Sequence, residues 1–194
     1  MPSSPTWILL SMCLLAMGCG LTDRSTLEQS ASARFSTADE SLDFLDALDT
    51  QPITTNDDAL HGLLILVDYQ PAPDSWKGRA EAAVTLGWLT ERHIPANPNE
   101  SARVGMIAVC ICHVLDVRGG LSMRLAGRTP RYCTRELVHM GLIPGITENE
   151  ALSGSEFLAL LAATEQKLRE QEARGGTNAN TSPPEQGDGK GDLE

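Results

Sequence analysis

Aromatic residues are scarce in this chain: three Trp, two Tyr and three Phe, 4% of 194 residues. With 41% apolar residues there is material for a core. That core has to be filled by Leu, Ile, Val, Ala and Met. Basic residues are also few, 15 Lys and Arg against 26 Asp and Glu, for a formal net charge of −11. Such a balance argues against general binding to nucleic acid or to an anionic membrane face and suits a solvated acidic surface. Catalytic signatures are missing too. There is no G-x-S-x-G elbow, P-loop, H-E-x-x-H or G-x-G-x-x-G. Glu148 and Glu150 lie in a turn without a special setting. The expectation is a protein that is not an enzyme and uses no cofactor, with a cell-wall hydrolase as the minor alternative.

Long apolar runs are absent as well. The longest, Trp7 to Ala16, is shorter than the about 20 residues that span a bilayer. It reads as the apolar part of a secretory signal peptide over residues 1–18, with Ala16-Met17-Gly18 as a small-x-small cleavage site. Cys19 follows, and the arrangement resembles the lipobox of bacterial lipoproteins. That resemblance implies acylation of Cys19 and anchorage to a bacterial membrane, facing periplasm or exterior. Plain secretion with Cys19 unmodified is the alternative. Acyl chains hold because each buried methylene contributes about 0.8 kcal/mol. Residues 19–36 are small and polar and read as a flexible tether. Residues 175–194, rich in Gly, Pro, Asn and acids, read as a disordered acidic tail. One folded domain over 37–174 remains.

Within it the patterning is helical, with almost no strand signal. Thr37 and Glu40 have capping-box spacing ahead of Leu42, Phe44, Leu45 and Leu48. Thr54 or Thr55 caps a second helix. Asp57 and Asp58 there suit its positive end, and Leu60, Leu63, Leu64 and Val67 make one face. Further helices are expected over 77–92, 100–116, 131–141 and 153–171. The six form three helix–loop–helix pairs. The second helices open at Thr54, Ala102 and Ser153, 48 and 51 residues apart. Two first helices end alike, in Leu86-Gly87-Trp88-Leu89 and Met140-Gly141-Leu142-Ile143. A period near 50 residues means units that bury apolar faces against one another.

The stretch ELVHMGLIPGITENEALSGSEFLALLAA resembles an S-layer homology (SLH) repeat. Ser153-Gly154-Ser155-Glu156-Phe157 stands at the family's Thr-Arg-Ala-Glu-Phe-like helix start, and Ala102-Arg103-Val104-Gly105-Met106 matches it in the middle repeat. Arg103 is where the motif's arginine survives. Trp76, eleven residues before Gly87, stands near the family's tryptophan. The resemblance implies an all-α, pseudosymmetric module of three helix pairs that binds cell-wall polysaccharide. The stretch LDVRGGLSMRL…TPRYCTREL also resembles a group of bacterial lipoproteins.

Cys110-Ile111-Cys112-His113 looks at first like metal or haem chemistry. It is one residue short of Cys-x-x-Cys-His, and its cysteines lie about 200° apart on a helix, so no metal is expected. The segment Val104–Leu115 is apolar on all sides, the mark of a central helix with packed thiols. In an oxidising compartment one disulfide could join Cys133 to Cys110 or to Cys112. Otherwise all three are buried thiols. His61, His93 and His139 stand alone and read as surface or satisfied histidines.

Charge is most uneven from Val117 to Arg135, which holds Arg118, Arg124, Arg128, Arg131 and Arg135 and no acid. Guanidinium forks suit carboxylate and phosphate. The stretch is either a contact for an anionic polymer or a connection pinned by pairing with acidic helices of neighbouring repeats. Arg118, Arg124, Arg128 and Arg131 are the candidate binding residues. Trp76 and Trp88 can stack on sugars or anchor the core. The expected function is a structural or binding module that holds an anionic cell-envelope polymer or an envelope protein. An accessory lipoprotein for assembly of an envelope complex is the runner-up.

Overall fold

The computed structural model describes residues 24–179. Expectations for residues 1–23, among them the signal peptide and Cys19, and for 180–194 lie outside that range. The described residues form helices α1 (Ala31–Arg34), α2 (Ser41–Asp49), α3 (Asn56–Leu66), α4 (Trp76–Thr85), α5 (Val104–Val114), α6 (Leu121–Ala126), α7 (Pro130–His139) and α8 (Gly154–Ala179). Single 3₁₀ turns cover Ala38–Glu40 and Glu91–His93. Two isolated bridges, Thr26 with Glu100 and Thr55 with Ser101, are the only β pairing among the described residues. No helix among them is long and apolar enough to cross a membrane.

Two helices form the centre. Every residue of α3 from Asn56 to Leu64 is buried, and in α5 only Met106, His113 and Val114 are not. A helix covered on all sides has to be enclosed by others. Accordingly α4 packs on α3, α7 on α5 and α2 on α8, while α3 also touches α5 and α8. The starts of α3, α5 and α8 are laced by backbone bonds: Asn56 N to Glu100 O (2.9 Å), Ala102 N to Thr54 O (2.9 Å), Val104 N to Glu150 O (2.9 Å), Thr54 N to Leu152 O (2.7 Å) and Gly154 N to Gln51 O (3.0 Å). The Asn56, Val104 and Gly154 amides open their helices and have no partner inside them, and Thr54 and Ala102 stand just before the caps. Gly154 permits the closest approach, since a Cβ there would stand 1.6 Å from the Leu48 carbonyl oxygen.

Local chemistry sets the boundaries. Thr55 caps α3 in a reciprocal box with Asp58, the Asp58 N donating to Thr55 Oγ1 (3.1 Å). Helices α4 and α7 both stop in a Schellman turn: Gly87 (φ 71°) and Gly141 (φ 72°) are left-handed, with Trp88 N donating to Ala83 O and Leu142 N to Leu137 O. The central helices use Asp in that place, Asp68 (φ 48°) after α3 and Asp116 (φ 44°) after α5. Helix α2 differs from expectation at Leu42, which is 77% exposed; Phe44 and Leu48 supply its buried edge.

Asp57 and Asp58, expected to suit the positive end of α3, are both buried. Asp57 meets Arg79 of α4 in a two-pronged pair (Nε–Oδ1 2.7 Å, Nη2–Oδ2 2.8 Å), and Arg79 Nη1 also donates to Pro73 O. Arg79 is 1% exposed. Asp58 accepts from Thr55 Oγ1 and from Ser32 N, both at 2.8 Å. With its amide nitrogen turned to the carboxylate, Gln51 adds a donation of 2.9 Å to Asp58 and accepts from Ala31 N.

The segment expected as a tether is built into the fold from Arg24 onward. Leu27 N donates to Asn99 O and Ser101 N to Ser25 O, Arg24 pairs with Glu100 at 3.1 Å, and Ser30, Ala31 and Ser32 are buried. Its small side chains, which read as tether composition, are what lets it lie against α3. At the other end α8 runs to Ala179, past the expected edge of the tail at 175.

Candidate functional site

The connection from α5 to α7 carries the arginines, and Arg128 is its hub. Arg128 Nη2 pairs with Asp116 Oδ1 at 2.8 Å, Nε and Nη2 donate to Val117 O at 3.3 and 3.2 Å, and Nη1 reaches His113 Nδ1 at 3.4 Å. A guanidinium can only donate, so His113 Nδ1 accepts and the proton sits on Nε2. Burial, then the Arg128 charge, hold the His113 pKa below its usual value against the pull of Asp116. The left-handed Asp116 thus places one carboxylate between two arginines, Arg118 being 3.9 Å away on its other oxygen.

Two clefts adjoin this hub. A shallow one of about 530 Å³ is lined by Val117, Arg118, Met123, Arg124, Gly127 and Arg128, with no acid among them. A deeper one of about 610 Å³ lies between α5, the start of α7 and the turns after α4 and α7; Trp88, His93, Arg103, His113, Arg128 and the acid Glu148 are in its wall. Arg128 belongs to both.

The structure therefore brings Arg118, Arg124 and Arg128 together. Arg131 is exposed at the start of α7 and lines neither cleft. Trp76, the first residue of α4, packs half-buried against the core and lines neither cleft; Trp88 is the tryptophan at the deep one. Among the described residues the only acid paired with the arginine stretch is Asp116, from the same connection, and no acidic helix of another pair reaches it.

Within Cys110-Ile111-Cys112-His113, the two thiols are buried and His113 turns to the cleft. Cys110, Cys112 and Cys133 are free. No group of three metal-binding side chains occurs among the described residues. Burial pushes the Cys110 thiol up to about 12. The neighbouring Cys133 thiol, then burial, push the Cys112 pKa up as well.

Sequence reasoning overlooked His93 and His113 as cleft residues. Arg103 carried a signal, its place in the Ala102–Met106 helix start. For His113 the signal was its spacing from Arg128 across a connection whose path the sequence does not reveal.

Comparison with protein-family models, with curated proteins and with solved structures returns no match.

Proposed function

We propose that this chain is an exported, lipid-anchored binding module, without chemistry of its own, that holds an anionic cell-envelope polymer along the two clefts joined at Arg128. The observation that carries the reading is the gathering of Arg118, Arg124 and Arg128 on one cleft that shares Arg128 with a second, which offers Arg103 and Trp88. Adjoining clefts of about 530 and 610 Å³ fit successive units of a chain better than a lone ion. Guanidinium forks suit carboxylate or phosphate on such units, and an indole face suits a sugar. The cyclic packing of second helix on following first helix, α3 on α4, α5 on α7 and α8 on α2, supports three SLH-like pairs. So do the N-caps Thr55, Arg103 and Ser153, 48 and 50 residues apart.

Acylation at Cys19 would leave five residues before Arg24 enters the fold, a reach of at most about 17 Å. The module would sit close against its membrane. Co-sedimentation with purified cell wall tests the binding. Arg124→Ala and Arg128→Ala together are expected to weaken it at least tenfold, and unchanged sedimentation overturns the reading. Mass spectrometry of the mature N-terminus tests the anchor, and an unmodified Cys19 overturns it.

One observation favours an envelope protein as the partner instead. Leu125, on α6 beside Arg124, is 82% exposed, an apolar contact that a polysaccharide does not need. Co-purification from detergent extracts that survives Arg124→Ala and is lost with Leu125→Ser would select that reading.

A further inference from the structure

We propose that the acidic segment 180–194 docks on the shallow arginine cleft of its own chain, so that an anionic polymer has to displace it. The proposal rests on the same arginines as the binding reading above and adds a regulator to them. The cleft is lined by Arg118, Arg124 and Arg128 with no acid. Among the described residues the exposed Arg124 has no carboxylate partner, and Arg118 meets only the exposed Asp116, at 3.9 Å. Two of the three guanidinium groups are therefore open to a further anion.

Helix α8 arrives beside this cleft. Gln171 Nε2 donates to Leu115 O at 3.2 Å. Two residues on from Leu115, Val117 is in the cleft wall and its oxygen holds Arg128. Beyond Gln171 the helix continues to Ala179, about 12 Å. Segment 180–194 follows and carries Glu185, Asp188, Asp192 and Glu194 against Lys190. At about 3.3 Å per extended residue, Asp188 reaches about 30 Å from Ala179 and Asp192 about 43 Å. Either span exceeds the helix left beyond Gln171, so the carboxylates can return to the cleft. Leu193 stands between Asp192 and Glu194, and Leu125, 82% exposed, stands beside Arg124, so apolar surface matches along with charge. Exposed ion pairs are individually weak and screened by salt. A tether offsets this by holding the acids near the arginines at an effective concentration on the order of millimolar. A short anion then competes poorly, whereas a polymer with many acidic units displaces the segment.

Carbodiimide cross-linking of the full chain tests the docking. Arg124→Lys puts an amine in the cleft at an exposed position. The monomer is isolated after reaction at low protein concentration, digested and read by mass spectrometry. Links from position 124 to Glu185, Asp188, Asp192 or Glu194 are expected, at least about fivefold more abundant than links from Lys77 of α4 to the same acids. Raising NaCl to about 0.5 M should remove most of them by screening. A second arm uses tripolyphosphate as the probe. Glu185→Gln, Asp188→Asn, Asp192→Asn and Glu194→Gln together, in the full chain, should tighten its binding about threefold or more in calorimetry. No link at position 124, equally abundant links at Lys77, links confined to dimers, or equal tripolyphosphate affinity of the two chains would each overturn the proposal. Cell-wall sedimentation enters neither readout, so the docking and the polymer reading stand or fall separately.

Discussion

Gly154 stands where the resemblance led one to look for an arginine, and the structure supplies the reason: the first turn of α8 lies on the last turn of α2. A Cβ at Gly154 would stand 1.6 Å from the Leu48 oxygen and 2.7 Å from its carbon, both backbone atoms that no rotamer can move. Gly154→Ala is therefore expected to cost about 3 kcal/mol or more in urea unfolding, against the usual gain for Gly to Ala at a helical position. His61 is the second outlier. Only 3% exposed, it meets the Phe44 ring edge-on at 4.5 Å, and its Nε2 has no partner. Burial, and then the Arg79 charge, lower its pKa to about 4, against attraction from Asp57. The unfolded chain then binds more protons than the folded one between about pH 6.5 and 4, so stability is full above 6.5 and falls with pH through that window. From pH 6.5 to 5 the loss from His61 alone is about 1.5 kcal/mol. The lowered His113 adds to it, while burial raises the Asp58 carboxyl and works the other way at the acid end. His61→Phe should flatten this limb in urea midpoints measured at each pH; an unaltered slope would remove His61 as its source. Asp68 offers a gain. Its left-handed backbone is natural to glycine, so Asp68→Gly should stabilise by roughly 0.5–1 kcal/mol. Asp116→Gly should not, because that carboxylate holds Arg128.

Helix α3 is joined to α4 by charge as much as by packing. The Asp57–Arg79 pair is sealed from water, with both guanidinium prongs used and a third nitrogen on Pro73 O. Removing one member strands the other. Arg79→Met is expected to cost about 3–5 kcal/mol, and adding Asp57→Asn should restore most of it, measured as a cycle of urea midpoints. A double variant as weak as the sum of the singles would mean that the pair holds nothing. This contact also marks the limit of what a sequence displays at this scale. Helix α5 was legible because an all-apolar segment has one destination, and α7 was legible at its end because Gly141 is a stop signal; α4, expected to run to 92, stops at Thr85 ahead of the left-handed Gly87. The start of α3 was not, since Asn56-Asp57-Asp58 looks solvated until Arg79, 22 residues away, and Ser32, 26 residues away, are seen to answer it. Helices α1 and α6, of four and six residues, are too short to leave a period. For the candidate site, the charge run named Arg118, Arg124 and Arg128. Only the fold put Trp88 rather than Trp76 in the second cleft that Arg128 lines.

At the scale of the molecule, the decisive contacts join segments about 50 and 100 residues apart: Thr54 to Ala102, and Thr54 to Leu152. No local pattern contains them, although a repeat of similar helix starts hints that such a meeting has to occur. The segment before α2 belongs to this closure. Composition made residues 19–36 look like a spacer, because Ser, Ala, Gln and Thr bury little apolar area. Their value here is polar and positional. Ser32 N and the Gln51 amide join Thr55 in satisfying the buried Asp58, and Ala31 is fully buried, its own N–H bound to Gln51. A chain begun at Thr37 would lose the Ser32 donor and open α3 to water near Asp58. Losing one hydrogen bond to a buried carboxylate costs about 1.5–3 kcal/mol, and the lost cover of Ala31 and the Leu27–Asn99 and Ser101–Ser25 bonds adds to it. At about 2–4 °C per kcal/mol, a Thr37 start should melt roughly 5–15 °C below a start at Arg24. A spacer predicts equal melting for the two, so a calorimetric scan of both chains separates a strap that completes the core from a leash that merely precedes it.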